Sequence, residues 1–109
     1  MPGDIDRQLD CLGDATRRAV LRLLREGPRS VGDIAAHFPV SRPAISQHLR
    51  VLSDAGFVSA QPSGTRRVYQ CRPDAFGSLR AYIDEFWAVG LNNFKERAEG
   101  RRTHRRRIA

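Results

Sequence analysis

The sequence predicts a mainly α-helical fold carrying one small β-hairpin. Three observations lead there. Apolar residues recur every three or four positions through most of the chain, the spacing that gives a helix one buried face. Two of these helical stretches follow each other across a short break, and the second is capped at its start and stopped sharply at its end. After Gly56 the period changes, to two short β-prone runs around a glycine turn.

A first helix, Ile5 to Leu12, places Ile5, Leu9 and Leu12 at helical spacing and is expected to bury them. Asp14 then stands as the N-cap of "ATRRAVLRLLRE", with Val20, Leu21, Leu23 and Leu24 as its apolar face and Gly27-Pro28 as its stop. Ser30 and Asp33 resemble a capping box that opens "VGDIAAHF" and turns Val31, Ile34, Ala35 and Phe38 inward. A break of about three residues around Pro39-Val40 leads to the next helix, the spacing of a helix-turn-helix. Ser41 caps that helix, and Pro43 is tolerated because first-turn amides have no intrahelical partner. Gly56 ends it after Ala55.

The runs "FVSAQP" and "RVYQCR", joined through "SGTR" with Gly64 as the turn residue, form a hairpin and hence a small basic wing. The expected architecture is a winged helix-turn-helix. Asp74 caps a final long helix through about Glu99, along which Phe76, Leu79, Ile83, Phe86, Gly90 and Phe94 lie three or four apart. Residues 1–100 read as one small domain and residues 101–109 as a basic, disordered tail. No internal repeat is present.

Nineteen Lys and Arg against twelve Asp and Glu give the 109 residues a formal charge of +7. Five of those arginines lie in "RRTHRRRIA", which leaves residues 1–100 near neutrality, with fourteen basic against twelve acidic side chains. A basic excess favours anionic partners, nucleic acid or an anionic membrane surface. "VSRPAISQHLR" and "GTRR" pair the charge with ordered structure, which points to nucleic acid. Cys11 and Cys71 are too few for a disulfide framework, and neither a secretory signal nor a membrane span is evident, so a cytoplasmic, nucleoid-associated protein with reduced thiols is expected. No nucleophile–base pair, phosphate loop or carboxylate pair stands out, and Asp84-Glu85 sit side by side on a solvent face, so no enzyme activity is expected.

"SRPAISQHLRVL" carries the functional argument. At about 100° per residue, Arg42, Pro43, Ser46, Gln47 and Arg50 fall within roughly 140° of arc, and Ala44, Ile45, Leu49, Val51, Leu52 and Ala55 take the remainder. The polar arc holds no Glu or Lys, the usual solvating residues. Arg, Ser and Gln instead donate to phosphates or pair with base edges in the major groove. The helix N-terminus suits a phosphate beside Ser41, and Arg66 and Arg67 at the wing tip reach a flanking phosphate or the minor groove. His48 falls on the inward side and is read as a packing and hydrogen-bonding residue; Gln47 is the better base reader.

Together these stretches resemble the ArsR/SmtB family of bacterial winged-helix repressors, from about residue 9 to residue 94. "LGDATRRAVLRLL" is similar to the family's second helix, and "SVGDIAAHFPVSRPAISQHLRVLSDAGFVSAQPSGTRRVYQC" to its helix-turn-helix and wing. The wording of the recognition helix and the late "FW" are closest to the non-metal, SdpR-like branch. The resemblance implies a homodimer joined through the first and last helices, with Leu9, Leu12, Leu79, Ile83, Phe86, Trp87, Gly90, Leu91 and Phe94 at the interface. The residues agree independently: the stripe on the last helix is generous for one small domain, and Gly90, costly inside a helix, permits close approach of another backbone.

Many members of that family sense metals. Here "VGDIAAHF" stands where paired cysteines would, and residues 75–99 contain no His; His37, His48, His104, Cys11 and Cys71 lack metal-ligand spacing, so no metal or other cofactor is expected. The expected function is transcriptional autorepression through a palindromic operator on double-stranded DNA, with the small-molecule effector unspecified. Two rivals remain: a metal- or thiol-gated repressor of the same fold, and a winged-helix module that docks proteins through its aromatic last helix.

Overall fold

The structure, a computed structural model, describes the backbone of residues 2–108 and the side chains of residues 5–100. Its elements run α1 (Pro2–Leu12), α2 (Ala15–Leu24), β1 (Arg29–Ser30), α3 (Val31–Ala35), α4 (Arg42–Asp54), β2 (Val58–Ser63), β3 (Arg66–Cys71) and α5 (Pro73–Ile108). They divide into two compact units, Met1–Ser78 and Leu79–Ala109. α5 runs on to Ile108, past the end near Glu99 that the sequence predicts, so the backbone of residues 101–108 is helical where a disordered tail is expected; their side chains and residue 109 lie outside the described residues.

Local chemistry sets the boundaries of the first unit. Asp14, Ser30 and Ser41 each sit in extended backbone ahead of a helix, and their side-chain oxygens accept from the amides of Arg17 (3.0 Å), Asp33 (3.2 Å) and Ala44 (3.3 Å). Each cap satisfies one of the amides that a helix start leaves unpaired. At the other end of α4, Gly56 takes φ +84°, its amide donates to Ser53 O, and the amide of Phe57 donates to Leu52 O, both at 3.0 Å. This is a Schellman stop, and it brings the buried Phe57 and Leu52 together. The last carbonyls of α1 are met from α2: Arg17 Nε donates to Cys11 O and an Arg18 guanidinium nitrogen to Leu12 O, both at 2.7 Å.

The core gathers Val20, Leu21 and Leu24 of α2, Ile34 of α3, Ile45, Leu49 and Leu52 of α4, and Phe57 and Val58 at the root of β2. Burial of a side chain of this size stabilises by about 1.5–3 kcal/mol. α4 is thus fixed by one face. The sheet is antiparallel in the order β1-β3-β2. Arg29 and Ser30 pair with Tyr69 and Val68, and β2 pairs with β3 from Val58↔Cys71 to Ser63↔Arg66. Gly64 has φ +64° and, among the described residues, no non-glycine residue has positive φ, the type II′ pattern that suits a two-residue hairpin loop.

Several expectations are corrected. α1 buries Gln8 and Cys11; Leu9 is 42% exposed, and Ile5 and Leu12 are half-buried. Gln8 takes the inward place because its amide donates to Ala55 O and Ala75 O, both at 3.4 Å. α3 stops at Ala35, where the amides of His37 and Phe38 turn to i−3 carbonyls, so the connection to α4 spans Ala36–Ser41 and is longer than expected. Of the inward residues assigned to α3, Ile34 is fully buried, and Val31, Ala35 and Phe38 are half-buried, as is Leu23 of α2. β1 is an addition to the elements that the sequence predicts. Asp74 lies inside the first turn of α5, since Pro73 begins that helix.

In the second unit, Leu79 is buried, whereas Ile83, Phe86, Trp87, Leu91 and Phe94 are exposed. Phe86, at 67% exposure, and Trp87, at 68%, lie within a run that Tyr82 joins through an edge-to-face contact with Phe86 at 5.3 Å.

Candidate nucleic-acid interface

With Ile45, Leu49 and Leu52 turned fully into the core, the opposite face of α4 is left to solvent: Arg42, Pro43, Ser46, Gln47 and Arg50 are all exposed. Ser41 is exposed too, with its Oγ engaged by the Ala44 amide. That bond uses an oxygen lone pair and leaves the hydroxyl proton free to donate.

The structure joins the start of α4 to the wing. A cleft of about 380 Å³ is lined by Ser30, Gly32 and Asp33 beside α3, by Arg42, and by Thr65, Arg66 and Arg67 at the wing tip. The Arg42 guanidinium lies against Gly32, where an added Cβ would meet it at 3.9 Å. Among the described residues, none of Arg42, Arg50, Arg66 and Arg67 is ion-paired; the arginines that do form ion pairs are Arg29, Arg72 and Arg80. Three unpaired guanidiniums face a single carboxylate, Asp33, at this cleft, which makes it a place for anions. Gly64 shapes the tip. Ser46, Gln47 and Arg50 extend the same face along α4, in position to present donors and acceptors to base edges.

Thr65 is not among the residues that the sequence singles out, although it stands between the turn glycine and the arginine pair. A hydroxyl beside two cations is a usual phosphate partner, and that adjacency is the signal that could have found it. His48 is half-buried. The Asp14 carboxyl is held below its ordinary value of 3.8, chiefly by the Arg17 amide it caps, and among the lesser causes is the charge of His48.

Burial pushes both thiols, Cys11 and Cys71, above the ordinary cysteine value, which leaves them protonated and poorly nucleophilic. Among the described residues no three His, Cys, Asp or Glu side chains gather into a metal-binding group, and no helix is long and apolar enough to cross a membrane.

A capped helix pinned by its apolar face, with its other face basic and free and a β-ribbon bearing arginines beside its start, defines a winged helix-turn-helix protein of the DNA-binding class. Residues 14–60 match the profile of the bacterial regulatory protein, arsR family. The chain is 47% identical over 91 residues to the HTH-type transcriptional regulator Rv2034 of Mycobacterium tuberculosis, covering 84% of this chain and 85% of that protein. It is 45% identical over 53 residues to the transcriptional repressor SdpR of Bacillus subtilis, covering 49% of this chain and 59% of that one. It also shares 29% identity and a TM-score of 0.65 with a homodimeric winged helix-turn-helix DNA-binding domain from Mycobacterium bovis, described as a possible ArsR-family regulator, over 76% of this chain and 81% of that one. The chain belongs to the arsR family of bacterial transcriptional regulators.

Proposed function

We propose that this chain is a homodimeric repressor that binds an inverted-repeat operator in double-stranded DNA, its own promoter included. The observation that carries the reading is the continuity of the free face of α4 with the wing tip through the Arg42–Arg66–Arg67 cleft. In this reading α4 lies in the major groove. Gln47, with Ser46, reads base edges, Arg50 and Arg42 hold the groove or its phosphates, and Ser41, Thr65, Arg66 and Arg67 hold the flanking backbone. The exposed residues of α5 and Leu9 and Leu12 of α1 supply the dimer contact. The two-fold axis then sets half-sites about one helical turn, or ~34 Å, apart. Repression follows from occupancy and needs no catalytic step, metal or cofactor. The basic tail adds phosphate affinity without sequence preference, and the protein works in the cytoplasm on the nucleoid.

Selection from a random duplex library, followed by footprinting on the DNA upstream of the protein's own gene, tests this reading. A palindromic consensus protected in that upstream region is the expected result. Binding with no sequence preference would overturn it and favour a protein-docking role.

A further inference from the structure

A second cleft, of about 480 Å³, shares no lining residue with the α4–wing face. Its volume falls within the range of small-molecule sites. The floor is apolar, made by Leu12, Leu21 and Phe76, with the half-buried Cys71 at one side. Arg18 and Arg22 of α2 and Arg25, its C-cap, form the rim, and among the described residues no carboxylate lines the cleft. Arg18 is occupied with Leu12 O, but the guanidiniums of Arg22 and Arg25 have neither a hydrogen bond nor an ion pair among the described residues. Like charges three and four residues apart repel one another. The dipole at the end of α2 accounts for a cation there, but not for the apolar floor beneath it.

We propose that this cleft binds a small amphipathic anion, with a carboxylate or phosphate head held by Arg22 and Arg25 and an apolar body lying on Leu21 and Phe76, and that its occupancy is transmitted to the wing. The path is short. Cys71 is the last residue of β3, whose first residue is Arg66 at the wing tip. Phe76 packs on Phe57 at a ring separation of 4.8 Å, and Phe57 immediately precedes β2. The ligand therefore meets the root of β3 at Cys71 and acts on the root of β2 through Phe76. Transmission to DNA rests on the operator-binding reading above; the binding itself does not.

The full chain, without DNA, is titrated calorimetrically with decanoate and with decyl phosphate below their micellar concentrations, with decanol as the neutral control. Maleimide labelling of Cys71 is followed in parallel by mass spectrometry. At least one anion is expected to bind at one site per chain, ~10-fold tighter than decanol, and to slow Cys71 labelling; the tighter of the two identifies the head group. The double variant Arg22→Ala, Arg25→Ala, at exposed positions that alanine suits, is expected to bind ~10-fold more weakly, about 1.4 kcal/mol. Equal binding of decanol, undiminished binding by the double variant, or unchanged labelling of Cys71 would overturn the site; unchanged labelling is also what a second copy of the chain seated in the cleft would give. The anion should then shift operator affinity ~5-fold in the wild type and leave the double variant unmoved, the size usual for coupled sites. Bound anion with unchanged operator affinity would overturn the transmission. A chain that binds no operator would overturn the repressor reading and leave the cleft standing.

Discussion

At the scale of single residues, the chain assigns adjacent side chains to different tasks. Gln47 is exposed while its neighbour His48 is half-buried. Gln47→Ala is expected to relax discrimination at one base position per half-site by about 1–3 kcal/mol, read by competition with single-base operator variants; unaltered preference would remove Gln47 from the reading set. Asp14 makes a pH prediction. Its folded carboxyl titrates below the ordinary value of 3.8, so the cap's contribution is complete above the unfolded value and fades as pH falls through the lower folded one. The difference in melting temperature between the wild type and Asp14→Ala should therefore be constant near neutrality and shrink in acid, whereas Asp14→Asn, a cap that does not titrate, should retain its advantage over alanine. Caps of this kind are legible in the sequence because donor and acceptor lie three residues apart. The inward turn of Gln8 is not, because its partners, Ala55 O and Ala75 O, are distant in sequence and a hydrophobic pattern ranks Leu9 ahead of it.

At the scale of elements, α2, α4 and the hairpin are readable from period and punctuation, and α3 and β1 less so. α3 has one fully buried residue, and β1 has two residues, too few to show any alternation. The cleft that joins Arg42 to the wing cannot be read from the sequence at all, since it depends on how the hairpin folds back over α3. Replacing Arg66 and Arg67 by Ala should weaken binding to all sequences alike and flatten the salt dependence of log K by about 0.9 for each phosphate that is no longer neutralised. Titrations at several salt concentrations measure it, and a weakening confined to the operator would place base contacts on the wing. Gly64→Ala forces a side chain into φ +64°. It should cost about 1–2 kcal/mol of stability in denaturant melts and weaken DNA binding through the displaced tip.

At the scale of the whole molecule, the helix pattern of α5 places its apolar residues correctly but cannot say what covers them. The chain alone leaves Ile83, Phe86, Trp87, Leu91 and Phe94 in water, more aromatic surface than a monomer ordinarily presents. Phe86→Asp with Trp87→Asp should convert a dimer into a folded monomer by sedimentation, with unchanged helical circular dichroism and operator affinity at least ~100-fold weaker, since one half-site loses its tethered neighbour. The two-residue strand β1 has an effect beyond its size. A free hairpin is marginal in water, and a reading arm that had to order itself on each encounter would spend part of its binding energy on that ordering. By pairing Arg29 and Ser30 with Tyr69 and Val68, the chain makes the wing continuous with the start of α3. In the operator-binding reading, arm and recognition helix therefore meet the duplex as one preorganised frame, and amide hydrogens along β3 should exchange slowly even with no DNA present.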